Sequence, residues 1–227
     1  MKKALSIILF LVFSLCLHAQ ELNQVAFSQN SNFSYFGFLS DREVQIHISD
    51  DGKLLGYGIE QQSIRNSNYY STQLQPYVGP VEYYGPDADS AYRGKIRRIG
   101  SSALTYYSSY DIDIKKGKLK TIGSMMLDYY DGTDNSLKGK LKSIGKYQVQ
   151  FYSSFENEAL RGKLKSIDNT PINYYSNFDD KAMSGKIKNI GPASYTYYAS
   201  YERKEYWGAL KSGNQRILVA GLTFIVW

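Results

Sequence analysis

Three features of the sequence predict an all-β fold: an elongated array of antiparallel β-hairpins in meander order, with an N-terminal hairpin as cap. The phrase Gly-Lys-Leu/Ile-Lys-x-Ile recurs from Gly117, Gly139, Gly162 and Gly185. It has a basic variant from Gly94 and a worn copy from Gly208, so the steps are 23, 22, 23, 23 and 23 residues. An aromatic pair recurs with the same period, as Tyr106-Tyr107, Tyr129-Tyr130, Phe151-Tyr152, Tyr174-Tyr175 and Tyr197-Tyr198. Neither motif repeats at helical spacing inside a unit, and tyrosine, present 22 times, favours strands. A fixed period of this length marks stacked supersecondary units, here about six clear repeats of 22–23 residues.

Taken in order, residues 1–19 have the form of a secretory signal peptide. Lys2 and Lys3 precede an apolar run over 4–17, and Ala19 is the small residue before cleavage. The apolar run is too short to span a bilayer comfortably. Export to the periplasm, the outer-membrane surface or the extracellular space of a bacterium is the expectation. Residues 20–80 form an acidic β segment with degenerate capping repeats. Within it Val44, Ile46 and Ile48 alternate with Gln45 and His47, Asp51-Gly52 supplies a turn, and Leu55, Tyr57 and Ile59 alternate back. That pattern puts His47 on a polar, solvated face. Ser63-Ile64 before Tyr69-Tyr70 reads as a blurred repeat, as terminal repeats often are.

The clear array covers 81–211. Each unit has two short β runs, joined to the next unit by a polar segment of about nine residues. Alternate residues of a strand share a face. The first aromatics (Tyr83, Tyr106, Tyr129, Phe151, Tyr174, Tyr197) therefore line the core with Leu119, Leu141, Leu164 and Ile187. Tyr110, Phe155, Phe178 and Tyr201 join them if the strand runs straight. The second tyrosines and the lysines take the opposite face. Ile99, Ile122, Ile144, Ile167 and Ile190 fall out of phase, which requires either a bulge or a second covered face. The apolar tail, 212–227, reads as a capping strand over the end of the array. Its terminal aromatic also resembles the closing strand of an outer-membrane barrel.

The pattern Phe151, Phe155, Gly162, Leu164, repeated every 22–23 residues, is similar to MORN repeats over roughly 81–211. The units lack the inner glycines usual in MORN repeats: Ser153 stands at one of those positions. The resemblance implies a scaffold of stacked hairpins that contacts protein or lipid and carries out no chemistry.

Composition narrows the function. Cys16 and His18 lie in the leader, so beyond it there is no cysteine and only His47. Disulfides, thiol nucleophiles and Cys/His metal sites are thereby excluded. The carboxylate pairs Asp111/Asp113, Glu156/Glu158 and Asp179/Asp180 sit in the connector of every unit and single out no cleft. Asp128, Asp131, Asp134 and Asn135 lack the glycine and distal glutamate of a calcium loop. No catalytic residue, metal or cofactor is expected, and the chain reads as a non-enzyme.

Residues 20–92 carry 3 Lys/Arg against 9 Asp/Glu, and residues 93–211 carry 21 against 12. That asymmetry implies a solubilising surface, an anionic partner or contact between the two parts. The candidate binding residues are two basic columns, Lys118, Lys140, Lys163, Lys186 and Lys120, Lys142, Lys165, Lys188, beside Tyr130, Tyr152 and Tyr175. A sheet face so lined suits an anionic envelope glycan, a lipid surface or a partner protein. Nucleic acid does not fit an exported chain. The reading is an exported scaffold of the cell envelope, with an outer-membrane-associated barrel as the alternative.

Overall fold

The computed structural model describes residues 21–28, 31–40, 44–60 and 74–227. The leader reading, with Cys16 and His18, and the blurred repeat at Ser63, Ile64 and Tyr69-Tyr70 lie outside the described residues. The fold is all-β. The N-terminal strands are β1 (Glu21–Phe27), β2 (Phe33–Leu39), β3 (Val44–Ile48), β4 (Leu54–Glu60) and β5 (Leu74–Gln75). The repeats supply β6 (Val81–Tyr83), β7 (Ile96–Ile99), β8 (Ser102–Tyr106), β9 (Leu119–Ile122), β10 (Met125–Tyr129) and β11 (Leu141–Ile144). They continue as β12 (Tyr147–Phe151), β13 (Leu164–Ile167), β14 (Thr170–Tyr174), β15 (Ile187–Ile190) and β16 (Ala193–Ser194). A final repeat hairpin pairs β17 (Thr196–Tyr197) with β18 (Leu210–Ser212), and the tail forms β19 (Arg216–Val219) and β20 (Leu222–Val226).

Strands β6 to β16 form one open, 11-stranded antiparallel sheet in strict sequence order, which is the expected meander. The other large sheet has seven strands in the order β19-β20-β1-β2-β3-β4-β5. Its one parallel contact joins β20 to β1, with Val25 opposite Phe224 and Ala26 opposite Ile225. The tail forms a hairpin that extends the N-terminal sheet, its inward residues Leu222, Phe224 and Val226 continuing the apolar face of β1. It also meets the last units of the array, where the Tyr195 hydroxyl donates to the Asn214 carbonyl (3.0 Å).

Each repeat solves the phase problem of its isoleucine with a β-bulge. Leu127 pairs with Ile144 and Asp128 with Ser143, but Tyr129 pairs with Leu141, so Lys142 is left over. The same two-against-one register leaves over Arg97, Lys120, Lys165, Lys188 and Lys211. An extra residue shifts the side-chain alternation by one. Leu141 and Ile144 therefore both point inward, each 0% exposed, although they are three residues apart. The spare basic residue turns outward into water.

The core lies between the two sheets. One continuous cluster unites Leu104, Leu127, Tyr129, Leu164 and Ile190 of the array with Val25, Phe36, Phe38, Ile46 and Phe224 of the seven-stranded sheet. Polar pins cross it at the rim. The Leu141 N–H donates to the Asp50 carbonyl (2.7 Å), and the Ile187 N–H donates to Ser31 Oγ (2.9 Å).

His47 is not on a solvated face. It is buried and stacked on Tyr35 with ring centroids 3.7 Å apart. The reason is curvature: Gln24 Nε2 of β1 donates to Glu60 Oε2 of β4 (2.5 Å), and Arg216 of β19 reaches Glu60 at 3.5 Å. Such long-range links across the second face draw the sheet around Gln24, Tyr35, Gln45 and His47. Among the described residues His47 Nε2 has no hydrogen-bond partner, and burial lowers its pKa to about 4.

Two outcomes test this arrangement. Ile144→Ala should cost about 2–5 kcal/mol in urea unfolding, the range for truncating a packed core aliphatic. An effect under about 0.5 kcal/mol, as for surface sites, would contradict the inward placement. The second concerns acid. The His47 pKa is lower folded than unfolded, so the unfolded chain binds the extra proton. Stability from neutral His47 is complete above about 6.5 and is lost as pH falls toward 4. Between pH 7 and pH 5.5 the wild type should weaken and His47→Gln should not; equal weakening in both would refute the assignment.

Candidate functional site

The two lysine columns do different work. Each lysine of the first column follows a glycine whose φ lies between 69° and 79°, at Gly94, Gly117, Gly139, Gly162 and Gly185. Glycine enters that left-handed region without a Cβ penalty. The turn closes each connector by two backbone bonds, for example Tyr130 N–H to Lys140 O (2.9 Å) and Gly139 N–H to Tyr130 O (2.8 Å). It also removes the lysine from the outer face. Lys118 Nζ donates to Gly139 O and to Asp51 O, both at 2.8 Å. Lys140 Nζ pairs with the Asp50 carboxylate and donates to Gly162 O (3.0 Å). Lys163 reaches Asn32 Oδ1 at 3.1 Å, and the Lys186 amine lies 5.3 Å from the Tyr197 ring centroid. Each amine thus lies over the first aromatic of the next unit, as Lys118 does over Tyr129 (5.1 Å). Desolvation lowers the pKa of Lys118, Lys163 and Lys186.

The second column, Lys120, Lys142, Lys165 and Lys188, is the set of bulge residues. Lys120, Lys142 and Lys188 are exposed and Lys165 is half-buried. Lys165 pairs with Glu156 at 2.7 Å and lies 5.2 Å from the Tyr152 ring centroid. Lys188 lies 5.3 Å from the Tyr175 centroid, and Lys120 5.4 Å from that of Tyr107. The neighbouring outer face is small and polar, with Thr105 bonded to Thr121 (2.8 Å) and Thr196 to Ser212 (2.7 Å).

The second tyrosines do not form an open stacking platform. Tyr107 and Tyr152 are buried, and Tyr130 and Tyr175 are half-buried. Each hydroxyl donates to a main-chain carbonyl one unit on: Tyr107 to Leu127 (2.9 Å), Tyr130 to Val149 (2.9 Å), Tyr152 to Ile172 (3.2 Å) and Tyr175 to Tyr195 (3.1 Å). The strand ends at the first aromatic, so alternation no longer governs the residue after it. These tyrosines brace one repeat against the next.

The same strand ending overturns the core placement of the third aromatic. Tyr110, Phe155, Phe178 and Tyr201 are 94%, 91%, 90% and 86% exposed. Each sits at the tip of a connector whose backbone is fixed. The carboxylates of Asp111, Glu156, Asp179 and Glu202 accept from the N–H three residues earlier at 2.6–2.7 Å. Neighbouring connectors are cross-linked, with Asp89, Asp134 and Asp180 accepting from the N–H groups of Ser109, Ser154 and Ser200 at 3.0–3.1 Å. A bond from Lys211 and the N–H of Ala199 hold the Glu202 carboxyl below its usual range, so it stays charged. Phe155, Phe178 and Tyr201 occupy three consecutive units, and Thr133 separates them from Tyr110.

No group of three or more His, Cys, Asp or Glu capable of holding a metal occurs among the described residues, and none of their helices is long and apolar enough to cross a membrane. Comparison with protein-family models, with curated proteins and with solved structures finds no match to the chain.

The division between the columns makes a paired prediction. Lys140→Gln removes a half-buried charge-assisted contact and should cost about 1–3 kcal/mol in urea unfolding. Lys142→Gln, one bulge residue away, should change stability by less than about 0.5 kcal/mol. Equal costs would mean that the columns share one role.

Proposed function

We propose that the chain is an exported, non-enzymatic repeat scaffold of the bacterial cell envelope. It binds an extended anionic glycan, a lipid surface or a partner protein along the connector edge of the array. The carrying observation is the row of connector-tip aromatics. A single exposed aromatic is ordinary, but one at the same place in successive units, each at least 86% exposed, is not explained by packing. Rigid aromatics lose little entropy on binding, and they dominate the energetics of many interfaces. Equivalent residues of successive hairpins stand about 10 Å apart, two strand spacings, which suits an extended chain with a regular repeat. The bulge lysines Lys120, Lys142, Lys165 and Lys188 run parallel to the tips and add positive charge. The inward contacts of Lys118, Lys140, Lys163 and Lys186 and the bracing bonds of Tyr130, Tyr152 and Tyr175 favour the tips and bulge lysines as the contact surface. An open sheet with a polar outer face favours this reading over a membrane barrel, whose outer band is apolar.

The test is retention of the protein lacking residues 1–19 on immobilised anionic envelope glycans, on lipid vesicles and on detergent-free envelope protein extract. The triple variant Phe155→Ser, Phe178→Ser, Tyr201→Ser should lose most of the retention while its unfolding midpoint stays within experimental scatter. Full retention by the triple variant would remove the tips from the contact surface.

A further inference from the structure

Three copies of one tripeptide pattern converge on a single cleft. Gly52-Lys53-Leu54 comes from the turn between β3 and β4. Gly94-Lys95-Ile96 opens β7, and Gly117-Lys118 opens β9. With Tyr106 and Lys116 they line an open cleft of about 620 Å³ between the two sheets at the first units of the array. That is the size of a small-molecule site and far larger than a lone inorganic ion needs. Four lysines line the cleft and no carboxylate does.

The cleft exists because of where the β3–β4 turn lands. Asp50 and Asp51 meet Lys140 and Lys118, which leaves Lys95, one unit earlier, beyond the turn. Lys95 Nζ donates to the Gly117 carbonyl, its only hydrogen-bond partner among the described residues. An ammonium has three donors, so two remain for a ligand. Burial lowers the Lys95 pKa, with no acidic neighbour to restore it. The nearby acids are engaged at the rim: Asp51 pairs with Lys53 (2.7 Å), and the exposed Asp113 pairs with Lys116 (2.7 Å). Ion pairs whose lysine stands in water are weak, so both exposed lysines can turn to a stronger anion. Gly94, at φ 75°, has nothing within 4 Å of where a Cβ would stand, which leaves its backbone open to an occupant. Leu54, Ile96 and the Tyr106 ring supply an apolar wall.

We propose that this cleft binds a compact oxyanion-bearing molecule of about monosaccharide size, its phosphate or carboxylate held by Lys95, Lys116, Lys118 and Lys53 and its body resting on Leu54 and Ile96. The site is separate from the connector-tip surface and does not depend on it. It also gives the Gly-Lys phrase a use at a place where three copies meet.

The experiment is calorimetric titration of the protein lacking residues 1–19 with glucose 6-phosphate, with glucuronate and with glucose as the neutral control. One saturable site for either anion, weakened by added salt and absent for glucose, is expected. Binding by the phosphate alone or the carboxylate alone identifies which oxyanion is preferred, and either supports the site. Lys95→Gln should weaken binding about tenfold, the factor for one charge-assisted hydrogen bond. Because Lys95 also braces Gly117, the double variant Lys53→Gln, Lys116→Gln serves as the second probe. It removes only exposed lysines from ion pairs at the rim and should weaken binding similarly with an unchanged unfolding midpoint. No saturable binding by either anion, equal binding of glucose, or undiminished binding in the double variant would overturn the proposal. The Phe155/Phe178/Tyr201 triple variant should bind the anions as the wild type does, so failure of the tip surface and failure of the cleft are separately visible.

Discussion

The β-bulge in each repeat is the constraint on which the rest of the structure depends. A strand with plain alternation would show Leu141 and Ile144 to opposite sides, and the array would own two half-apolar faces. One extra residue per unit brings both inward and makes a single continuous apolar face. At about 25 cal/mol per Å² of apolar surface removed from water, such a face is worth covering, and the seven-stranded sheet covers it. The bulge also decides what the outer side carries, because the residue it expels is Arg97 or a lysine in every unit. Inner packing and outer charge thus follow from one local feature.

A second regularity governs the joints. The left-handed glycine before each first-column lysine closes the connector and aims the amine at the next unit, where it meets an aromatic ring and, for Lys118 and Lys140, a main-chain carbonyl. The second tyrosine does the same in parallel, its hydroxyl reaching a carbonyl one repeat on. With the aspartates that accept from the next connector's N–H, adjacent units are therefore joined by four kinds of contact besides the strand ladder. That accounts for the persistence of Gly, Lys and Tyr in the phrase without any ligand. The N-terminal sheet uses the same lysines: Asp50 and Asp51 take Lys140 and Lys118, so the acidic segment and the basic array are partners within one chain.

Much of this was legible in the sequence. The period gave the hairpins and the alternation in 44–59 gave β3 and β4; the charge asymmetry left a solubilising surface, an anionic partner and contact between the two parts open, and Asp50 and Asp51 make that contact. The bulge was visible only as an inconsistency, because a three-residue Leu-to-Ile spacing says that alternation fails without saying where. Three readings went astray for one physical reason: alternation was carried past the end of a strand. Tyr110, Phe155, Phe178 and Tyr201 fall in a turn held by the carboxylate after them, Tyr152 is buried as a brace, and Lys140 turns inward behind Gly139. The buried state of His47 and the docking of β20 beside β1 depend on sheet curvature and on pairing between the two ends of the chain. Neither leaves a local signal. The cleft at Lys95 was equally hidden, since its three Gly-Lys segments are ordinary members of a repeat until the β3–β4 turn brings them together.

The functional reading follows from subtraction. Once the inner face, the joints and the braces are assigned to packing, the connector tips, the bulge lysines and the Lys95 cleft are what the fold leaves available. All of that rests on the phase shift in each unit, which thiol accessibility can read residue by residue. In the protein lacking residues 1–19 there is no native cysteine, so single cysteines at 141, 142, 143 and 144 can be compared by their rates of maleimide modification under native conditions. The bulge predicts protection at 141 and 144, with fast reaction at 142 and measurable reaction at 143. Protection at 143 together with fast reaction at 144 would mean plain alternation and would contradict the account.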